Sequence, residues 1–295
     1  MREVVLIVNP IATNVTEERV ASVERELARA ASVTTLYTER KRHAIELARD
    51  AAPTAAVVSF SGDGGFNEIL NGINGDVPVG FVPGGGTSVL PRALGLPRDP
   101  ERAARRIANA LERERARRIS LGRVNGRRFG FSAGIGIDAE AVRRIDERRD
   151  RHGERPGDFT FAWQVVRALV AHRGRYEPLI RIDGHGDAAL LFVANGRPYT
   201  YAGVIPLPIV PHADFAHGLA FVAPRAVRPA LLPWLLPTIL LGRARPSRRL
   251  LAGADVDGLS VTCTRPLPMQ ADGEDLGDVD NVAFESERDA VAVLL

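Results

Sequence analysis

Residues 59–73 read SFSGDGGFNEILNGI, with a carboxylate, Asp63, set between Gly62 and Gly64. A short apolar run ends there and an amphipathic helical pattern begins at once. A second stretch, PGGGT at 83–87, follows another apolar run and carries Thr87. A loop leading from a strand end into a helix presents free backbone N–H groups and the positive end of the helix dipole. Such a loop makes an anion site, and glycines let a phosphate approach the backbone closely. Lys41 is the only lysine, so amides, hydroxyls and arginines would have to hold the phosphates. Asp63 repels a phosphate; its chemical tasks are holding Mg²⁺ beside one or receiving a proton from an attacking hydroxyl. The plain alternative makes the glycines turns and Asp63 a helix N-cap. Two such loops, one holding an acid and the other a threonine, favour the phosphate reading. Neither is a Walker loop or a Rossmann GxGxxG.

The elements that would position these loops alternate. Val4–Val8, Val33–Tyr37, Ala55–Phe60 and Val77–Val82 read as strands, with helical patterns from Thr16 and over Ala44–Ala48 between them. This alternation predicts a doubly wound, mainly parallel α/β nucleotide domain. An arginine-rich helix over about Glu101–Arg118 follows, and the texture then changes. Asn125-Gly126 between two apolar runs predicts a tight hairpin. Further strands fall at Leu179–Ile182, Ala189–Ala194, Leu219–Ala223, Leu259–Thr264 and Val291–Leu295. Helices fall near Asp138–Arg148, Phe159–His172 and Ala226–Leu241. The second part is therefore β-rich and sandwich-like, giving domains 1–115 and 116–295.

Composition limits the alternatives. With 45% hydrophobic and 25% charged residues the chain is globular rather than disordered. A net charge of +3 gives no nucleic-acid footprint, and nucleic acid is not expected as a partner. One cysteine, Cys263, excludes an internal disulfide framework and a Cys-rich zinc site, and the six histidines show no ligand spacing. MREVVLIVNP reads as a first strand, and no run of ~18 apolar residues offers a membrane span. A cytoplasmic protein is expected.

SGDGGFNEILNGI resembles the GGDGTxNEVxNGL signature of the diacylglycerol kinase catalytic-domain family, which includes sphingosine and ceramide kinases. NPIAT at 9–13 is similar to that family's first nucleotide loop, and YTERKRHAIELA at 37–48 to its second strand–helix join. VPGGGTSVLPRALGLP at 82–97 is similar to its PxGTxNDFARxLGIP stretch. FSAGIGIDAEAV resembles the opening of its second domain, and QADGEDLG at 270–277 its DGE motif. These islands lie in family order across nearly the whole chain.

The resemblance implies a two-domain lipid kinase, with ATP between the domains, Mg²⁺ as cofactor and a diacylglycerol-like lipid as acceptor. Position by position, it places ATP contacts on Asn9, Thr13, Thr38, Gly62, Asp63, Gly64, Gly65, Asn67, Glu68, Gly86 and Thr87. Glu274 matches the proton acceptor. In sphingosine-type members the first loop's aspartate is proposed instead, so Asp63 competes for that role. Asp272 is one period-2 step from Glu274, on the same face if the segment is extended, and is a candidate metal ligand. Asp138 matches a contact to the lipid head group in sphingosine-type members, with a helix N-cap as the plain account. The final strand, near 290–295, is expected to be able to return to the first domain.

The chain also departs from the pattern. Gly65 replaces a threonine, Ser88 and Val89 an Asn-Asp pair, and Ser120 an aspartate. His217 replaces the aspartate of a DDG-like motif that holds a structural Mg²⁺, leaving Asp214 as the nearby candidate ligand. An NAD kinase-like small-molecule kinase and a catalytically impaired nucleotide- or lipid-binding protein are the competing readings; DGE and GIGIDAEAV favour a lipid kinase. Residues 226–242, AVRPALLPWLLPTILLG, are too short to span but fit an interfacial helix with Trp234 as anchor; a helix packed on the β-domain is the alternative. Transient contact with the inner face of the membrane and a homodimer are the expected associations.

Overall fold

The computed structural model describes residues 3–51, 56–73, 76–152 and 160–295. The chain forms two compact units, Met1–Ile119 with Asp289–Leu295, and Ser120–Arg288.

In the first unit the strands are β1 (Glu3–Val8), β2 (Ser32–Tyr37), β3 (Ala56–Ser61) and β4 (Val79–Pro83). The helices are α1 (Glu17–Leu27), α2 (His43–Asp50), α3 (Asp63–Gly72), α4 (Val89–Ala93) and α5 (Pro100–Glu112). The strands run parallel in the order β2-β1-β3-β4, and Val293 near the C-terminus adds a parallel partner at Val79. Strands β3 and β4 are buried throughout, and β1 in all but its first residue. This follows from helices on both faces of a parallel sheet. Val4, Leu6 and Val8 pack with Val20, Val23 and Leu27 of α1 and Ile107 and Leu111 of α5. On α3, Phe66 meets Phe81 of β4 edge-on, ring centroids 5.2 Å apart. Thr16 caps α1 by accepting the N–H of Arg19 at 3.3 Å, as its hydroxyl type suggests.

The second unit carries strands β5 (Ala116–Val124), β6 (Arg127–Phe129), β7 (Ser132–Ile135), β8 (Ile180–Ile182), β9 (Gly186–Ala188) and β10 (Leu191–Ala194). It continues with β11 (Thr200–Ala202), β12 (Ile205–Leu207), β13 (Leu219–Pro224), β14 (Leu250–Val256), β15 (Gly258–Ala271) and β16 (Glu274–Leu294). Its helices are α6 (Ile137–His152), α7 (Thr160–Ala171) and α8 (Leu232–Leu240). Antiparallel pairing runs β14-β13-β10-β7-β15-β16. Strands β7, β10 and β13 are buried at every residue because alternate side chains feed two cores. Ala133, Ile135, Leu191, Val193 and Phe221 point into one, and Phe192, Ala194, Ala220 and Val222 into the other, beneath α7 and α8. Cys263 is a buried core residue of β15, its thiol pushed up to about 11 by burial.

Some boundaries differ from the sequence reading. The arginine-rich helix stops at Glu112, where Glu114 turns left-handed at φ 52°, and Arg117 and Arg118 belong to β5. The expected last strand is the end of β16, one continuous strand of 21 residues whose tail lies in the first unit. The expected strand start at Ala55 and helix start at Phe159 lie outside the described residues. Among those described, no helix is long and apolar enough to cross a membrane.

Candidate active site

In the first unit the order β2-β1-β3-β4 sends the chain from β1 towards one edge and from β3 towards the other. Ligands of open parallel sheets bind outside the carboxyl ends of the strands at such a reversal. The loops after β1, β3 and β4 gather there. Asn14 ties the first loop to the third: its N–H donates to Gly84 O and its side-chain amide to Gly85 O, both at 2.8 Å. Gly84 N–H donates to Ser61 O at 2.6 Å. A Cβ on Gly85 would lie 2.8 Å from Gly62 Cα, so the two glycine loops pack backbone against backbone. Glycine is required by this close approach.

Asp63 is the first residue of α3, and its N-cap is Gly62. Its carboxylate reaches across instead: Oδ2 accepts Val89 N–H at 2.9 Å and Oδ1 accepts Leu90 N–H at 3.0 Å. The acid therefore caps α4, the short helix that follows PGGGT, and locks one loop to the other. The first-turn N–H groups of α3, at Gly64 and Gly65, have no intrahelical acceptor. Asn9, Thr38, Gly62–Gly65 and Thr87 are half-buried, and Thr13 and Gly86 are exposed, so these positions are open to a ligand.

Asn67 and Glu68 have other tasks. Asn67 is buried and accepts from the Asn71 amide at 3.2 Å. Glu68 accepts Arg42 N–H at 2.9 Å and Ala44 N–H at 3.1 Å. It caps α2, whose own N-cap residue, Arg42, supplies no side-chain bond. Both residues thus brace the loop's surroundings.

One position passed over in the sequence is Ser61. A Cβ at residue 65 would lie 2.1 Å from Ser61 Oγ, and that buried hydroxyl makes no hydrogen bond among the described residues. The signature has glycine where this chain has Ser61, and threonine where it has Gly65. The Ser61 hydroxyl thus enters, from the strand, the small volume that a side chain at position 65 would need.

In the second unit, DGE is a hairpin tip. Asp272 and Gly273 take φ of 49° and 77°, and Ala271 pairs with Glu274 across the turn. The chain reverses here, so the expected common face of Asp272 and Glu274 does not exist. Asp272 is buried and accepts the N–H groups of Gly130 (2.6 Å), Phe131 (2.9 Å) and Ser132 (3.2 Å). It anchors the segment between β6 and β7. Asn195, unforeseen in the sequence, supports the same segment by donating to Ser120 O at 2.6 Å and Gly130 O at 3.0 Å. Glu274 begins β16, is partly exposed, and pairs with the Arg127 guanidinium.

Asp138 is 2% exposed. Tyr199 Oη lies 2.5 Å from its Oδ2 and Gln270 Nε2 donates to the same oxygen at 2.9 Å. Gln270 Oε1 in turn accepts Gly273 N–H at 3.0 Å, joining this cluster to the DGE turn. Burial pushes the Asp138 carboxyl above the usual carboxylate range. The group expected at a lipid head group is therefore enclosed, as a core anchor. Tyr199 and Gln270 gave no signal in the sequence, since nothing in their spacing marks them as buried partners of Asp138.

Asp214 accepts the N–H of Ala216 at 2.9 Å within its own turn. Nearby, Asp255 accepts Gly218 N–H and pairs with Arg288, both at 2.8 Å. Among the described residues no group of three or more His, Cys, Asp or Glu is placed to hold a metal ion.

Residues 3–124 match the diacylglycerol kinase catalytic domain, and residues 132–295, more than half of the chain, match the YegS C-terminal NAD kinase beta sandwich-like domain. The chain belongs to the bacterial diacylglycerol kinase family. A "Putative lipid kinase" of Staphylococcus carnosus is 27% identical over 161 residues, 52% of this chain and 50% of that protein. A Streptococcus pneumoniae protein of the same name is 28% identical over 180 residues, 58% of each chain. A diacylglycerol kinase of Bacillus subtilis is 35% identical over 111 residues, 33% of this chain and 35% of its own length. The chain thus spans about half the length of the first two relatives. Among solved structures, a putative diacylglycerol kinase from Bacillus anthracis is similar in fold, with TM-score 0.77 at 20% identity over 99% of this chain and 97% of that one. An Archaeoglobus fulgidus NAD kinase is more distant, with TM-score 0.52 at 13% identity over 99% and 93%.

Proposed function

We propose that this chain transfers the γ-phosphate of ATP to a lipid hydroxyl, with a diacylglycerol-like acceptor. The observation that carries the reading is the packing of SGDGG against PGGGT at the strand reversal, with Asp63 clamping the two. Phosphates would lie against the first-turn N–H groups of α3, where the helix dipole favours negative charge. Asn9, Thr13, Thr38 and Thr87 would add amide and hydroxyl contacts, with Gly62–Gly65 and Gly86 allowing close approach.

Mg²⁺ fits this site as a companion of the nucleotide, because it is held by one or two carboxylates together with phosphates and waters. Asp63 would be the protein carboxylate, and the ion would offset phosphate charge. In the transfer itself, the lipid oxygen attacks phosphorus in line and the bond to the ADP oxygen breaks. As the resemblance implies, Glu274 of the second unit would take the hydroxyl proton as general base; its carboxylate pairs with Arg127. Asp63 has the clamp as its first duty, which favours Glu274 over it as proton acceptor.

The reading is tested by ATP turnover with dispersed diacylglycerol, with NAD, and with no acceptor. Turnover stimulated by diacylglycerol supports it. Stimulation by NAD alone, or equal turnover in all three, would overturn it.

A further inference from the structure

All but two of the exposed large hydrophobic side chains among the described residues, Ile11 and Tyr37 being the exceptions, lie on α7, the β11–β12 hairpin and α8 or the residue that follows it. Trp163, Val166 and Val170 form an outward stripe on α7, with Val170 71% exposed. Val204 and Ile205 stand at the hairpin tip, 72% and 58% exposed. Trp234, Leu236, Leu240 and Leu241 continue the surface on α8 and its end. Single exposed apolar residues are ordinary, but a contiguous group marks an interaction site.

These elements are neighbours. Val165, Ala168 and Leu169 of α7, Leu207 and Ile209 beside the hairpin, and Leu235 and Ile239 of α8 share one core. Gly174, just after α7, stands against Leu232, and Gly242, just after α8, against Pro208. Helix α7 thus carries apolar side chains on its buried side and, beside Arg167, on its open side too, whereas a surface helix is normally polar outward.

Charge identifies the occupant. Segments 160–176, 199–213 and 226–249 contain no Asp or Glu, although the chain has 36 acidic residues. The first carries exposed Arg167, Arg173 and Arg175. The last carries exposed Arg228, Arg243, Arg245, Arg248 and Arg249, with the Arg249 guanidinium 5.8 Å from the Trp234 ring. The small net charge of the whole chain hides this concentration. Apolar side chains edged by Trp and Arg suit the boundary between lipid tails and anionic headgroups. A second copy is a poor partner, since a two-fold interface would set arginine against arginine with no carboxylate between. Helix α8 has nine residues and an internal Pro237, so it lies in the interface rather than crossing.

We propose that α7, the β11–β12 hairpin and α8 form a membrane-docking face that seats Trp163, Val204 and Trp234 at the headgroup–tail boundary of a bilayer containing anionic phospholipid. Its purpose rests on the lipid-kinase reading; the binding does not. The chain's two tryptophans both lie on this face, so native emission reports docking directly. The probe is a phosphatidylcholine vesicle with brominated acyl chains, with or without phosphatidylglycerol.

With phosphatidylglycerol, blue-shifted emission quenched by shallow bromines is expected. Affinity should fall about 10-fold or more when phosphatidylglycerol is omitted or salt is raised from about 0.05 M to about 0.5 M. Val170→Asp/Val204→Asp should weaken binding by about 10-fold or more at an unchanged melting temperature, both sites being exposed. That variant should still phosphorylate a short-chain diacylglycerol dissolved as monomers. Unquenched emission, undiminished binding by the variant, or both tryptophans shielded in a stable dimer would overturn the docking face. Docking without phosphoryl transfer to any lipid would instead overturn the kinase reading alone.

Discussion

Asp63 spends both carboxylate oxygens on the backbone of α4, and that changes what its replacement should do. Asparagine would turn an amide donor towards the N–H of Val89 or Leu90, leaving a half-buried donor facing another donor. Loss of a charge-assisted backbone bond with such a clash costs about 1–3 kcal/mol. Asp63→Asn should therefore lower the urea midpoint and weaken ATP binding together, read by chemical denaturation and calorimetry. Unchanged stability with lost transfer would make Asp63 a purely chemical residue. Asp138 gives a second test. Tyr199 Oη lies within reach of Ala133 O at 3.1 Å, Gln270 Nε2 at 3.1 Å and Asp138 Oδ2 at 2.5 Å. A phenol has one hydrogen, so all three contacts are satisfied when Tyr199 donates to Ala133 and accepts from Gln270 and a protonated Asp138. Its carboxyl pKa is raised by burial, so the folded state keeps the proton where the unfolded chain has lost it. The stability is thus complete below the ordinary carboxylate value of about 4 and declines as pH rises through the folded value. Asp138→Asn imitates the neutral acid. It should flatten that decline in pH-dependent melting, and a slope equal to wild type would show that Asp138 does not carry it.

Loops and turns were legible where local rules decided them and illegible where packing did. Strand–helix alternation and glycine spacing located SGDGG and PGGGT, because a parallel sheet and a close backbone approach both leave marks in sequence. Asn125-Gly126 announced its hairpin, and the structure has it, with φ of 46° and 82°. Asp272-Gly273 is the same type of signal. An extended segment would put Asp272 on the face of Glu274, but the chain reverses between them. The Ser61–Gly65 exchange was hidden for another reason: the two positions are neighbours only after β3 turns into α3. That proximity is testable. Gly65→Thr alone should clash with Ser61 and cost about 1–3 kcal/mol, as overpacking does. Ser61→Gly/Gly65→Thr should recover most of it in a double-mutant cycle. Additive costs would show that the two sites do not share one volume.

For the whole chain, the order of motifs predicted the α/β unit followed by a β-rich unit, and the family matches cover both. The internal division falls at Ile119–Ser120, a few residues beyond the expected 115, because β5 extends the chain past the arginine-rich helix. Buried polar partners such as Tyr199, Gln270 and Asn195 were invisible, since their roles depend on contacts between distant strands. The central claim, phosphoryl transfer to a lipid with Glu274 as base, is tested most directly by incubating γ-labelled ATP with a total lipid extract and identifying the labelled product. Wild type should place the label in an organic-soluble phosphomonoester. Glu274→Gln, which keeps the shape and one acceptor for Arg127 but loses basicity, should lower that product by about 10²–10⁴-fold with little change in ATP affinity. Label appearing only as inorganic phosphate, or only in a water-soluble dinucleotide when NAD is supplied, would contradict it.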